Sequence, residues 1–256
     1  LASRQPVPPG TASPPSPSMP VASPRRFDAT AWLTQVLSTA RLAFRSTIRD
    51  LPFVVIAGAG VLTLLVTALN ANSLYGEITW PLTWNLLEGL QGGFSIFFVL
   101  LITIYAGEAV WRERQIKLHL VADALPVRTS VSLAGNFLGL IGVKAALIGL
   151  LMATGMAIQT ATGYTRYEPG LYLVTLFGLY LPQMIQITAL AFLVHVVVNH
   201  KYAGHAVMIL LWVGRMTITS FGIEHRLLVY AMNAFQYSDL NGFGPYRLEV
   251  VLTSLY

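Results

Sequence analysis

The sequence predicts an all-α, polytopic membrane fold. Three observations carry this. Hydrophobic residues make up 55% of the 256 residues and charged residues 11%, against about 25% charged in an ordinary soluble domain. The apolar residues collect in stretches of about 20, the length at which a helix crosses a hydrocarbon core of about 30 Å. The basic residues cluster beside those stretches. The net charge of +5 therefore points to anionic lipid headgroups as the partner, and no nucleic acid is expected. Cysteine is absent, which excludes a disulfide framework, a thiolate metal site and a cysteine nucleophile.

Residues 1–27 read as a Pro/Ser-rich disordered linker, because eight of the fourteen prolines fall within the first 24 residues and such a segment buries too little apolar surface to offset its ordering entropy. Residues 28–49 form an amphipathic helix. Trp32, Val36, Ala40, Phe44 and Ile48 recur every four residues, and Arg41, Arg45 and Arg49 make a parallel basic stripe. An apolar face beside a basic one suits the membrane interface.

From residue 50 to residue 256 the chain reads as a transmembrane domain. A first span covers about 51–69 without any charge. A second covers about 90–106, inside a charge-free stretch of 19 residues between Glu88 and Glu108. Trp80 and Trp84 sit between them at interfacial positions. A third covers about 131–158, interrupted only by Lys144. Its Gly135 and Gly139 form a small-xxx-small pair suited to close helix packing. A fourth lies within 170–198, where Pro182 should kink the helix and free the carbonyl of Gly178. A fifth covers about 202–221 and contains Arg215. Residues 222–248 form a polar and aromatic loop, and a sixth span begins near Glu249. Leu1 in place of Met and the apolar run Val250–Tyr256 lead to the expectation that this is part of a longer polypeptide.

With the N-terminus inside, eleven of the sixteen Lys and Arg residues fall in inside segments and three in outside loops. That is the positive-inside pattern. Lys144 and Arg215 remain within spans. A charge in lipid costs a few kcal/mol or more, so both should face protein or water. Gln183, Gln186 and His195 add polar surface to the fourth span. Each of these five either lines a polar pathway or serves as an interhelical hydrogen-bonding or snorkelling group.

No catalytic signature is present: there is no phosphate loop and no zincin motif. His195, His200 and His205 recur at spacings of five, which do not share a helix face, and no carboxylate accompanies them in the sequence; they read as boundary histidines and not as a metal site. The segment 108–128 is the most informative. Its mixed charges follow a span directly, Glu113 and Lys117 have the i,i+4 order that supports a helix, and Pro126 ends it. Trp111, Arg112, Glu113, Arg114 and Lys117 would present the surface that receives force from a soluble motor; a solvated juxtamembrane helix is the plainer alternative.

Gly107-Glu-Ala-Val-Trp-Arg-Glu-Arg114, continuing to Asp123-Ala-Leu-Pro126, resembles the loop after the second span in ABC-2 type permeases of the family fused to a C-terminal zinc aminopeptidase. Gly163-Tyr-Thr-Arg-Tyr-Glu-Pro-Gly-Leu-Tyr-Leu173, Val194-His-Val-Val-Val-Asn-His-Lys-Tyr-Ala-Gly-His205 and Tyr237-Ser-Asp-Leu-Asn-Gly-Phe-Gly244 are similar to that family as well. The resemblance covers about residues 30–256. It implies a permease half with about five complete spans and a truncated sixth, opened by an elbow helix at 28–49. It also implies a coupling element at 108–126 that meets a separate ABC ATPase subunit, a second permease half in the same polypeptide or a dimer, and a bacterial inner membrane location. ATP would act on the partner subunit, and zinc in a domain beyond Tyr256; this chain itself would hold no cofactor and catalyse no reaction. Lys144 departs from the family, in which an uncharged residue is expected there. The resemblance leads to a permease of an ATP-driven exporter. A membrane scaffold for an aminopeptidase is the alternative, and a sensor or assembly factor without transport a third.

Overall fold

The computed structural model describes residues 28–71, 82–115, 129–220, 237–238 and 240–244. Six helical segments make up almost all of it: α1 (Ala29–Ile48), α2 (Leu51–Ala71), α3 (Thr83–Gln115), α4 (Thr129–Ala161), α5 (Pro169–Val198) and α6 (Lys201–Ser220). The expected linker 1–27, Trp80, the segment 116–128, the polar and aromatic loop apart from residues 237–238 and 240–244, and the sixth span lie outside the described residues. Four helices, α2 to α5, are long and apolar enough to cross a membrane, which is the architecture of a multi-pass membrane protein. The expected fifth span forms α6, but it carries Lys201, His205 and Arg215 and is not among the four.

The spans pack as an antiparallel sequence with α3 at the centre. Phe94 and Phe98 of α3 are fully buried. Phe94 lies 5.1 Å from Phe98, and Phe98 lies 5.4 Å edge-on from Tyr180 of α5. Such edge contacts add to the dispersion gained by close packing, which is the main cohesive term once lipid replaces water. α2 approaches α3 where glycines leave room: a Cβ on Gly93 would stand 2.8 Å from Leu64.

α1 runs parallel to α4. The two touch through the small residues the sequence offered. A Cβ on Gly139 would lie 2.7 Å from the Ala43 methyl and 2.8 Å from the Ala40 carbonyl. Only glycine permits this approach. The apolar stripe of α1 is therefore covered by α4 at Val36 and Ala40, which are buried. Arg41, Arg45 and Arg49 stay exposed, together with Leu33, Leu37 and Leu42.

One end of the bundle is closed by Gln159, which is fully buried. Its amide donates to the Thr83 hydroxyl at 3.2 Å and accepts from the Tyr172 phenol at 3.1 Å. These bonds join the end of α4 to the beginnings of α3 and α5. Within α5, Leu173–Tyr180 is wound as a π-helix, and the Leu181 N–H reaches back to the Leu176 carbonyl. Pro182 follows directly. It has no N–H to give, so the widened turns lie where the sequence predicts a kink.

Candidate functional site

At the opposite end, three helices meet in a polar joint. α3 runs unbroken to Gln115, so Glu108 to Gln115 extend the second span as one continuous helix. α5 ends at Val198. Asn199 then adopts a left-handed conformation with φ 49°, which asparagine tolerates better than most residues. α6 starts two residues later. This tight turn brings the first turns of α6 against α3.

Two interactions hold the joint. The Lys201 ammonium pairs with the Glu108 carboxylate, the two side chains being partly exposed. Beneath it, His195 of α5 and His205 of α6 stack edge to face with ring centroids 4.8 Å apart. His195 is completely buried. Both rings lie against the bare backbone of Gly107: a Cβ there would collide with the His205 ring and stand 3.0 Å from Cε1 of His195. A Cβ on Gly204 would collide with the His195 ring. Neither nitrogen of His195, nor Nδ1 of His205, has a partner in good hydrogen-bonding geometry.

Further links frame the joint. Asn136 of α4 donates to the Ala109 carbonyl at 3.3 Å. The Tyr105 phenol donates to the Asp50 carboxylate at 2.6 Å, tying α3 to the corner between α1 and α2. α3 is thus bound at one level to every neighbouring element.

The residues expected to couple to a partner divide. Trp111 is half-buried on the last turns of α3. Arg112, Glu113 and Arg114 continue the same helix; their side chains, and Lys117 altogether, lie outside what is described. The intramembrane residues do not gather into one site. Lys144 is 4% exposed. Its helix register, fixed by the Asn136–Ala109 and Gln159–Thr83 contacts, sets it level with the Phe98–Leu101 turn of α3. Gln183 and Gln186 are half-buried on α5, and Arg215 is half-buried on α6.

Sequence reasoning missed the His195–His205 pair. A spacing test applies within one helix, and these rings belong to two helices that the Asn199 turn folds together. His200 takes no part and lies beside Tyr202, ring centroids 6.0 Å apart. Among the described residues no group of three or more His, Cys, Asp or Glu is arranged to hold a metal. No family model, curated protein or solved structure matches this chain.

Proposed function

We propose that this chain is the membrane-spanning permease component of an ATP-driven ABC exporter, of the ABC-2 type, and that it couples to a separate ATPase subunit through the 108–126 segment. The observation that carries the reading is the continuity of α3. A helix apolar enough to cross a membrane runs without a break into Glu108, Trp111, Arg112, Glu113 and Arg114. A soluble motor that pushes on this charged extension moves the spanning part as well, because no hinge separates them. The joint then hands the motion to α5 and α6 through Glu108–Lys201 and the histidine pair. In this proposal the domain has about five spans with α6 as the fifth, and the N-terminus is cytoplasmic in a bacterial inner membrane.

The test is photo-crosslinking in native membranes, with a photoreactive residue at Arg114 or Lys117 of the full polypeptide. Capture of a nucleotide-binding subunit, lost when Glu113→Arg and Arg114→Glu are combined, is the expected result. Capture of lipid alone, with normal expression and insertion, would overturn the coupling claim. It would favour a membrane scaffold for a peptidase domain instead.

A further inference from the structure

We propose that the His195–His205 pair is a proton-operated clasp, which holds α3 against the α5–α6 hairpin while both rings are neutral and releases it when either is protonated. The proposal goes beyond the permease reading and does not depend on it.

The argument begins with hydrogen-bond capacity. A neutral imidazole needs one acceptor for its N–H, whereas an imidazolium needs two. In the closed joint neither nitrogen of His195, nor Nδ1 of His205, has a hydrogen-bond partner, so the extra N–H that protonation creates there is one more buried donor with nothing to accept it. Two neutral rings also stack edge to face without charge repulsion, at 4.8 Å between centroids. An imidazolium at His195 would sit in a site that excludes water entirely, with neither of its nitrogens hydrogen-bonded. Burying a charge without a counter-charge is strongly unfavourable.

The surrounding charges do not relieve this. α3 contributes Glu108, α6 contributes Lys201, and those two are already paired. Lys201 stands four residues before His205 on α6, one turn away, so its ammonium opposes a further positive charge on that ring. Neither α4 nor α5 carries a carboxylate. The rings cannot retreat within the closed joint, because the backbones of Gly107 and Gly204 lie against them where any Cβ would collide. What can move is the hairpin. Displacing it from the Gly107 backbone of α3 would let an imidazolium reach water.

The experiment uses the absence of native cysteine. Spin labels on Leu100→Cys in α3 and Leu210→Cys in α6, both at exposed positions, report the seam by double electron–electron resonance in nanodiscs between about pH 8 and about pH 5, the range in which histidines titrate. The expected result is a second, longer distance that grows at low pH. Its ratio to the short one should rise about tenfold per pH unit through the transition, as uptake of one proton requires. Replacing both rings (His195→Gln with His205→Gln) should abolish the pH response. An unchanged distance across the range, or an equal response in the Gln variant, would overturn the proposal. Should the Gln variant fail to fold, nitrogen-15 histidine spectra of the native chain decide: protonation of either ring with no change in distance sinks the idea equally.

Discussion

The Tyr105 phenol donates to the Asp50 carboxylate across 2.6 Å, joining the last apolar turns of α3 to the α1–α2 corner. A hydrogen bond to a charged group contributes about 1.5–3 kcal/mol when shielded. Asp50 is exposed, so less than that, about 1 kcal/mol, is expected here. Tyr105→Phe should lower the melting temperature in detergent by a few degrees. Asp50→Ala should do the same, and the double variant should cost no more than either alone, as a shared bond requires. Fully additive losses would show that the bond contributes nothing.

Gln159→Leu should be more damaging. It strips the Thr83 and Tyr172 hydroxyls of partners in a buried place, at about 1–3 kcal/mol for each group left unpaired. Thr83→Val, which removes one outer member only, should cost less. Thermal melting of the two variants side by side checks the order.

Two glycines of α4 make a matched pair. Gly139→Ala forces a Cβ against the Ala40 carbonyl and the Ala43 methyl, and overpacking of this kind costs about 1–3 kcal/mol. Gly149→Ala meets nothing within 4 Å, and alanine is the better helix former by about 1 kcal/mol. The first substitution should destabilise and the second should not. Equal effects would mean that α1 does not pack on α4 as described.

Lys144 is buried with no carboxylate beside it among the described residues. Replacing such a cation with an apolar side chain of similar length is neutral or stabilising. Lys144→Met should therefore keep or raise the melting temperature. A simultaneous loss of transport in whole cells would give the ammonium a role in the pathway; unchanged transport would leave it a tolerated charge.

Much of this architecture was legible in the residues, and the reasons are local. The spans show as apolar stretches because the bilayer fixes their length. Gly135 and Gly139 announced a close helix contact, and Pro182 an irregular helix, because each acts through its own backbone. Residues 108–115 continue α3 as helix, while the Glu113–Lys117 order that pointed to one reaches a residue outside the described part. What the sequence could not give was partnership. The four-residue repeat of α1 suited a membrane surface, yet Val36 and Ala40 are covered by α4, and periodicity alone does not say what covers a face. The histidines failed a spacing test because their pairing is made by a turn at Asn199 and not by a helix face. The family resemblance drew on loop motifs, whereas the proposed transport reading rests on the unbroken course of α3.

The length of α3 has a mechanical consequence. Its 33 residues make a rod of about 50 Å at 1.5 Å per residue, with no proline among them. Held near Tyr105 and Glu108 by the joint, it is a lever whose short arm is the charged extension and whose long arm reaches Thr83. A tilt of about 5° about that pivot displaces the Thr83 end, about 35 Å away, by about 3 Å. That is enough to part the Thr83 and Gln159 side chains, which meet at 3.2 Å, so a nudge at the charged end can unlatch the far end of the bundle without unfolding a single turn.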